Sequence, residues 1–118
     1  MEAEHGIDEL IDAMARADRR AAKSQLVRLM KHIIKWKVQP DKRSASWVAT
    51  INNARQEIRD EQEENPSITD NVLREKLWDS AFRLAVSEAG GEMNTERLNV
   101  EPLTWEEVFV DRYSLMKI

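Results

Sequence analysis

From Ile7 to about Lys37 the chain has neither glycine nor proline, and Ile11, Ala15, Ala22, Leu26, Leu29, Met30, Ile33 and Trp36 recur at three- and four-residue intervals. That spacing lays them along one stripe of an α-helix. Val38-Gln39-Pro40-Asp41-Lys42-Arg43 interrupts the pattern, because a proline cannot continue a helix and restricts the residue before it; it reads as a short interhelical loop. A second helix is predicted from Ser44 or Ser46 to Glu63, either serine being able to cap the first free amides. Its apolar stripe is narrow: Trp47, Ile51, Ala54 and Ile58. Asn65-Pro66-Ser67 closes it.

The third helix starts near Ser67 or Thr69. Val72, Leu73, Leu77, Trp78, Ala81, Phe82, Leu84, Ala85 and Val86 make it apolar over more than half its circumference. A helix of that kind is buried on more than one side, so a central place is expected for it. Gly90-Gly91 is expected to supply a left-handed stop. After a connecting loop over 92–101, Thr104 with Glu107 forms a capping box, and Leu103 and Val108 are placed to form a hydrophobic staple; a short helix from Trp105 to about Tyr113 follows. The chain therefore reads as all-α, a single helical domain over residues 1–118 with about four helices. The long first helix forms an antiparallel hairpin with the second.

Thirty helical residues span about 45 Å, whereas a compact domain of this length has a radius of gyration of about 13 to 14 Å. The first helix is thus longer than its body. Either it bends around 16–22, where the stripe is weakest, or its N-terminal turns project and pack on a second molecule.

Charge changes this picture more than composition does. The chain of 118 residues has no cysteine, which excludes disulfides, thiol catalysis and thiolate metal sites and fits a reducing compartment. No apolar run approaches the ~20 residues of a membrane span, and the acidic N-terminus is unlike a signal peptide; a cytoplasmic setting is expected. The net charge of −4 hides blocks. Residues 1–15 carry five acids and no base, and 16–43 carry ten bases and two acids. The antiparallel hairpin places Asp60 opposite Lys23 and Glu64 opposite Arg19. The acidic run Glu57, Asp60, Glu61, Glu63, Glu64 is therefore expected to pair with Arg16, Arg19, Arg20 and Lys23, which leaves Arg28, Lys31, Lys35, Lys37, Lys42 and Arg43 without carboxylate partners.

These remaining cations are the candidate chemistry. Arg20, Ser24, Arg28, Lys31 and Lys35 share the helix face opposite the apolar stripe, and Lys37, Lys42 and Arg43 extend it at the loop; such a ridge can neutralise phosphates, or simply be a solvated face. Trp36 and Trp47 flank the loop and fall on apolar stripes, as anchors of the hairpin. His32 borders the first stripe. A general acid–base role would require a partner to orient its ring and a pocket, and a half-buried histidine hydrogen-bonded within the hairpin is the simpler reading. Arg55 and Arg59 are one turn apart and can bind a carboxylate or pair with neighbouring acids. Glu2 and His5 have the spacing of a helical di-iron half-site, but the further pairs such a site needs are missing. No catalytic residue, metal site or cofactor is assigned.

His32-Ile33-Ile34-Lys35-Trp36, Gln39-Pro40, Arg43-Ser44 and Ser46-Trp47, Thr50-Ile51, Arg55, Ile58 and Asn65-Pro66-Ser67-Ile68 together resemble the bacterial and cyanobacterial domain-of-unknown-function family twenty-nine. The resemblance covers 7–88 and continues more weakly through Pro102-Leu103-Thr104-Trp105. It implies a small helical protein without an assigned biochemical role, and recurrent polar residues at His32, Lys35, Gln39, Arg43, Ser46, Thr50 and Arg55. It also implies a segment ahead of the first long helix that is not seen here; without that segment, apolar surface is left for a dimer or a partner to cover.

The combined reading is an interaction module that self-associates or binds a protein partner, with the loop end of the hairpin as candidate surface: Arg28, Lys31, His32, Lys35, Lys37, Gln39, Lys42, Arg43 and Arg55. Polyanion or nucleic-acid binding at that end is the first alternative, and an enzyme centred on His32 the second.

Overall fold

A computed structural model of the protein describes the backbone of residues 2–116, with side chains for all of these except 2–8, 11 and 12. The first predicted helix is α1 (Glu2–Val38), one uninterrupted α-helix of 37 residues. At 1.5 Å per residue it is about 55 Å long. It does not break at 16–22; it projects. The molecule accordingly measures 61 × 33 × 21 Å, and its radius of gyration of 16.6 Å exceeds the compact-domain value. Ile11 and the Glu2–His5 pair lie outside the described side chains.

A 3₁₀ turn at Pro40–Lys42 reverses the chain into α2 (Ala45–Glu64), whose N-terminus is capped by Ser44: its Oγ accepts from the Trp47 amide at 3.2 Å. Ile51, Ala54 and Ile58 are the fully buried line of α2, as the stripe indicates. Thr69 caps the next rod, α3, which runs over 70–92 in three joined pieces: an α-turn Asp70–Val72, a π-helical turn Leu73–Leu77 and an α-helix Trp78–Glu92. The last helix, α4 (Trp105–Phe109), has the predicted capping box, with Thr104 and Glu107 each bonding the other's backbone amide. It stops four residues short of Tyr113, whose side chain instead turns back onto the body.

α1 lies between α2 and α3 and contacts every other helix. Along α3, Leu73, Leu77, Ala81, Ala85 and Ala89 are buried. A second flank, through Trp78, meets the C-terminal segment: Trp78 stacks on Trp105 at 5.5 Å and its Nε1 donates to the Leu103 carbonyl at 3.1 Å, while Phe82 packs against the core. The breadth of the apolar surface on α3 is explained by these two contacts. Leu26, Leu29, Met30, Ile33 and Ile34 of α1 are completely buried among these walls, each contributing about 1.5–3 kcal/mol by leaving water. Among the described residues no polar or charged side chain is buried, there is no strand, and no helix is long and apolar enough to cross a membrane.

The Gly90-Gly91 stop needs correction. The helix runs through both glycines to Glu92, and the left-handed residue is Asn94, at φ 56°. Thr95 N donates to Gly90 O at 2.8 Å and Asn94 N to Gly91 O at 3.2 Å, the paired bonds of a Schellman motif. Gly90 is needed for closeness instead: a Cβ there would stand 3.0 Å from the Thr95 carbonyl oxygen.

Candidate functional site

The hairpin register is close to that predicted, since Arg28 Nη1 on α1 donates to Asn53 Oδ1 on α2 at 3.1 Å. The expected charge pairing is nevertheless not made. Among the described residues, none of Glu57, Asp60, Glu61, Glu63 or Glu64 forms an ion pair with Arg16, Arg19, Arg20 or Lys23. Axial register is not sufficient for pairing, because side chains rotate about 100° per residue around the axis; Arg20 and Lys23 line a cleft with Leu84 and Glu88 of α3.

Most of the cations expected to remain unpaired, Lys42 excepted, are ones the fold engages. Lys31 bonds Glu88 and Glu92 at 3.3 and 3.2 Å, Lys35 bonds Glu92 at 3.3 Å, and Lys37 pairs with Glu107. Burial disfavours the Lys31 charge, but the hydrogen bonds and charges of Glu92 and Glu88 outweigh it and hold its pKa above the usual lysine value. Glu92 and Glu107 are likewise held below the usual carboxylate range: burial pushes both up, and the lysines, with Thr104 for Glu107, pull them down further. Lys35 also lies over the half-buried Trp47 ring at 5.0 Å. Trp36 is the more buried anchor, 7% exposed.

Arg43 Nε donates to the Trp36 carbonyl at 2.8 Å, and its guanidinium covers the Trp36 ring at 4.5 Å. Arg55 reaches across to α4, donating to Val108 O at 2.7 Å and Glu107 O at 3.2 Å; it does not pair with neighbouring acids. Arg59 does so, with Asp70 at 2.8 Å. Gln39 shapes the turn through its backbone, accepting from the Lys42 amide at 3.0 Å; Lys42 is exposed and forms no ion pair among the described residues.

His32 Nδ1 lies 2.8 Å from Arg28 O. A carbonyl oxygen can only accept, so Nδ1 carries the proton and Nε2 is the free acceptor. Burial, and then the charges of Lys35 and Lys31, hold the ring's pKa below the usual histidine value against the Arg28 hydrogen bond, leaving it neutral near pH 7. His32 is thus a half-buried histidine bonded within its own helix. It is not among the side chains lining the cleft nearby on the same helix.

That cleft lies between α1 and α3, has a volume of about 430 Å³ and is walled by Arg20, Lys23, Ser24, Arg28 and Lys31, with Val27, Leu84 and Glu88 completing it. Arg20, Ser24, Arg28 and Lys31 are the helix face visible in the sequence. Leu84 and Glu88 were not singled out there; the surplus breadth of apolar positions on the third helix was the available signal.

A second exposed surface was also missed. Leu10 and Met14 of α1 are 62% and 59% exposed, and Ala17 and Ala21 are exposed too. Their 4-3-4 spacing draws a line about 120° around the helix from Ala22, Leu26, Leu29 and Ile33. Ile11 and Ala15 continue the first stripe, so where α1 leaves the body it carries a second apolar line beside it, legible in the sequence.

No curated protein and no solved structure matches the chain. The model of one family, Domain of unknown function DUF29, matches residues 1–114, nearly the whole length, and the protein belongs to that family.

Proposed function

We propose that this is a single-domain helical interaction module that associates with a second copy of itself through the projecting part of α1, in a bacterial cytoplasm. The observation that carries the reading is the line Leu10, Met14, Ala17, Ala21, exposed and turned away from the body's own core. Alternating four- and three-residue steps are those of a helix–helix seam. A second copy presents the same line, so a twofold pairing buries both at once. Covering Leu10 and Met14 removes about 1.5–3 kcal/mol of unfavourable hydration for each. The polyanion reading at the hairpin end is weakened by the engagement of Lys31, Lys35, Lys37, Arg43 and Arg55 within the fold, and the His32 enzyme reading by the ring's intrahelical bond.

Light scattering coupled to size exclusion tests the proposal. At tens of micromolar the wild type is expected to be a dimer and Leu10→Asp/Met14→Asp a monomer of unchanged helix content. A monomeric wild type overturns it.

A further inference from the structure

We propose that the cleft between α1 and α3 binds a phosphate monoester bearing an apolar group. Four cationic side chains, Arg20, Lys23, Arg28 and Lys31, wall this depression against one carboxylate, Glu88. Lys31 is bonded to Glu88 at 3.3 Å and to Glu92, just outside the lining, at 3.2 Å, so the surplus positive charge is that of Arg20, Lys23 and Arg28. Among the described residues Arg20 and Lys23 form no ion pair. Arg28 touches only neutral amide oxygens, Gln25 Oε1 at 3.3 Å and Asn53 Oδ1 at 3.1 Å. These bonds orient its guanidinium without neutralising it.

The surplus charge suits a dianion. Two guanidinium groups offer paired N–H donors to tetrahedral oxyanions, an ammonium a point charge, and a concave site strengthens the attraction. The rest of the cleft selects the remainder of the ligand. Leu84 is 44% exposed and Val27 lies beneath it, so an apolar substituent has a surface to cover. A volume of about 430 Å³ holds a small molecule.

A nucleic acid fits less well. Its phosphates would continue past the cleft toward Glu92, which shares Lys31 with Glu88. Free esters and lipid headgroups share the favoured chemistry.

Titration calorimetry of the full chain with phenyl phosphate, inorganic phosphate and phenol tests the site. Phenyl phosphate is expected to bind several-fold more tightly than inorganic phosphate, and phenol not at all. Arg20→Gln, at an exposed position, and Arg28→Gln, at a partly buried one, both checked for unchanged helix content, are each expected to weaken phenyl phosphate about tenfold. Leu84→Ser should abolish the preference over inorganic phosphate. Vesicles of phosphatidic acid in phosphatidylcholine separate the two sources: binding with the same dependence on Arg28 assigns a lipid headgroup, and its absence beside phenyl phosphate binding assigns a free ester. Failure of both probes, equal affinity for the two phosphates, or indifference to both arginine variants overturns the proposal. Because the readout does not depend on oligomeric state, it stands or falls separately from self-association.

Discussion

The guanidinium of Arg55 donates from Nε to the Val108 carbonyl oxygen at 2.7 Å, fixing the end of α4 to the middle of α2. A second bond to Glu107 O and the Tyr113 ring, 5.4 Å from the guanidinium carbon, complete the clasp. Hydrogen bonds from a charged group contribute about 1.5–3 kcal/mol, and this one is half-buried. Arg55→Ala is expected to lower unfolding stability by about 2 kcal/mol in urea. Arg55→Lys should recover less than half, since one ammonium cannot reproduce the planar fork.

The two adjacent glycines are expected to respond in opposite directions. At Gly91 nothing stands within 4 Å of an added Cβ, and its helical position makes alanine more stable by about 0.5–1 kcal/mol. At Gly90 the added carbon meets Thr95 O at 3.0 Å, which forces the Schellman turn open. Gly90→Ala should cost about 1 kcal/mol or more. Denaturant midpoints of the two variants decide the matter.

Acid should act on this protein in two stages. His32 titrates lower in the folded chain than its ordinary value of 6.5. The unfolded chain therefore takes up its proton first, so the stabilisation present above pH 6.5 is lost as pH falls toward the folded value. Asp70, Glu92 and Glu107 also have depressed values. Their contribution is complete above the ordinary carboxylate range and disappears below it. In melting temperatures measured against pH, His32→Gln should remove the first decline and leave the second.

Tyr113 is the chain's one tyrosine. Burial pushes its hydroxyl up to about 12, with Asp111 and Glu107 adding to the shift and Arg55 opposing it; the hydroxyl donates to Glu107 O at 2.7 Å. Spectrophotometric titration should give a midpoint near this value in the native protein and near 10 in denaturant. A native midpoint at 10 would mean that the C-terminal segment does not dock.

Local signals gave a faithful account of helix starts. Thr104 caps as its position indicates, and Ser44 and Thr69 are the ones that cap out of the pairs Ser44 or Ser46 and Ser67 or Thr69, because capping depends on neighbours within one turn. Pairing between helices was harder to read. Lys31 and Lys35 find Glu88 and Glu92 some 57 residues away, a meeting set by the rotation of α1 and α3 about their axes. The π-turn left a trace that simple periodicity passes over. Leu73, Leu77, Ala81, Ala85 and Ala89 repeat every fourth residue, a line that drifts around a regular helix by about 40° per step; the wider turn at Leu73–Leu77 takes back part of that drift.

The all-apolar interior has its own mechanical meaning. Oily contacts are non-directional, so among the described residues no buried polar bond adds to side-chain shape in specifying how far one rod has slid along or rolled against another. Alignment is enforced at the periphery, by Arg43 on Trp36, Arg55 on α4 and Trp78 on Leu103. Loosening such clasps would leave the helices intact but free to shift, so the asymmetric environments of the four tryptophans would blur before helical content fell.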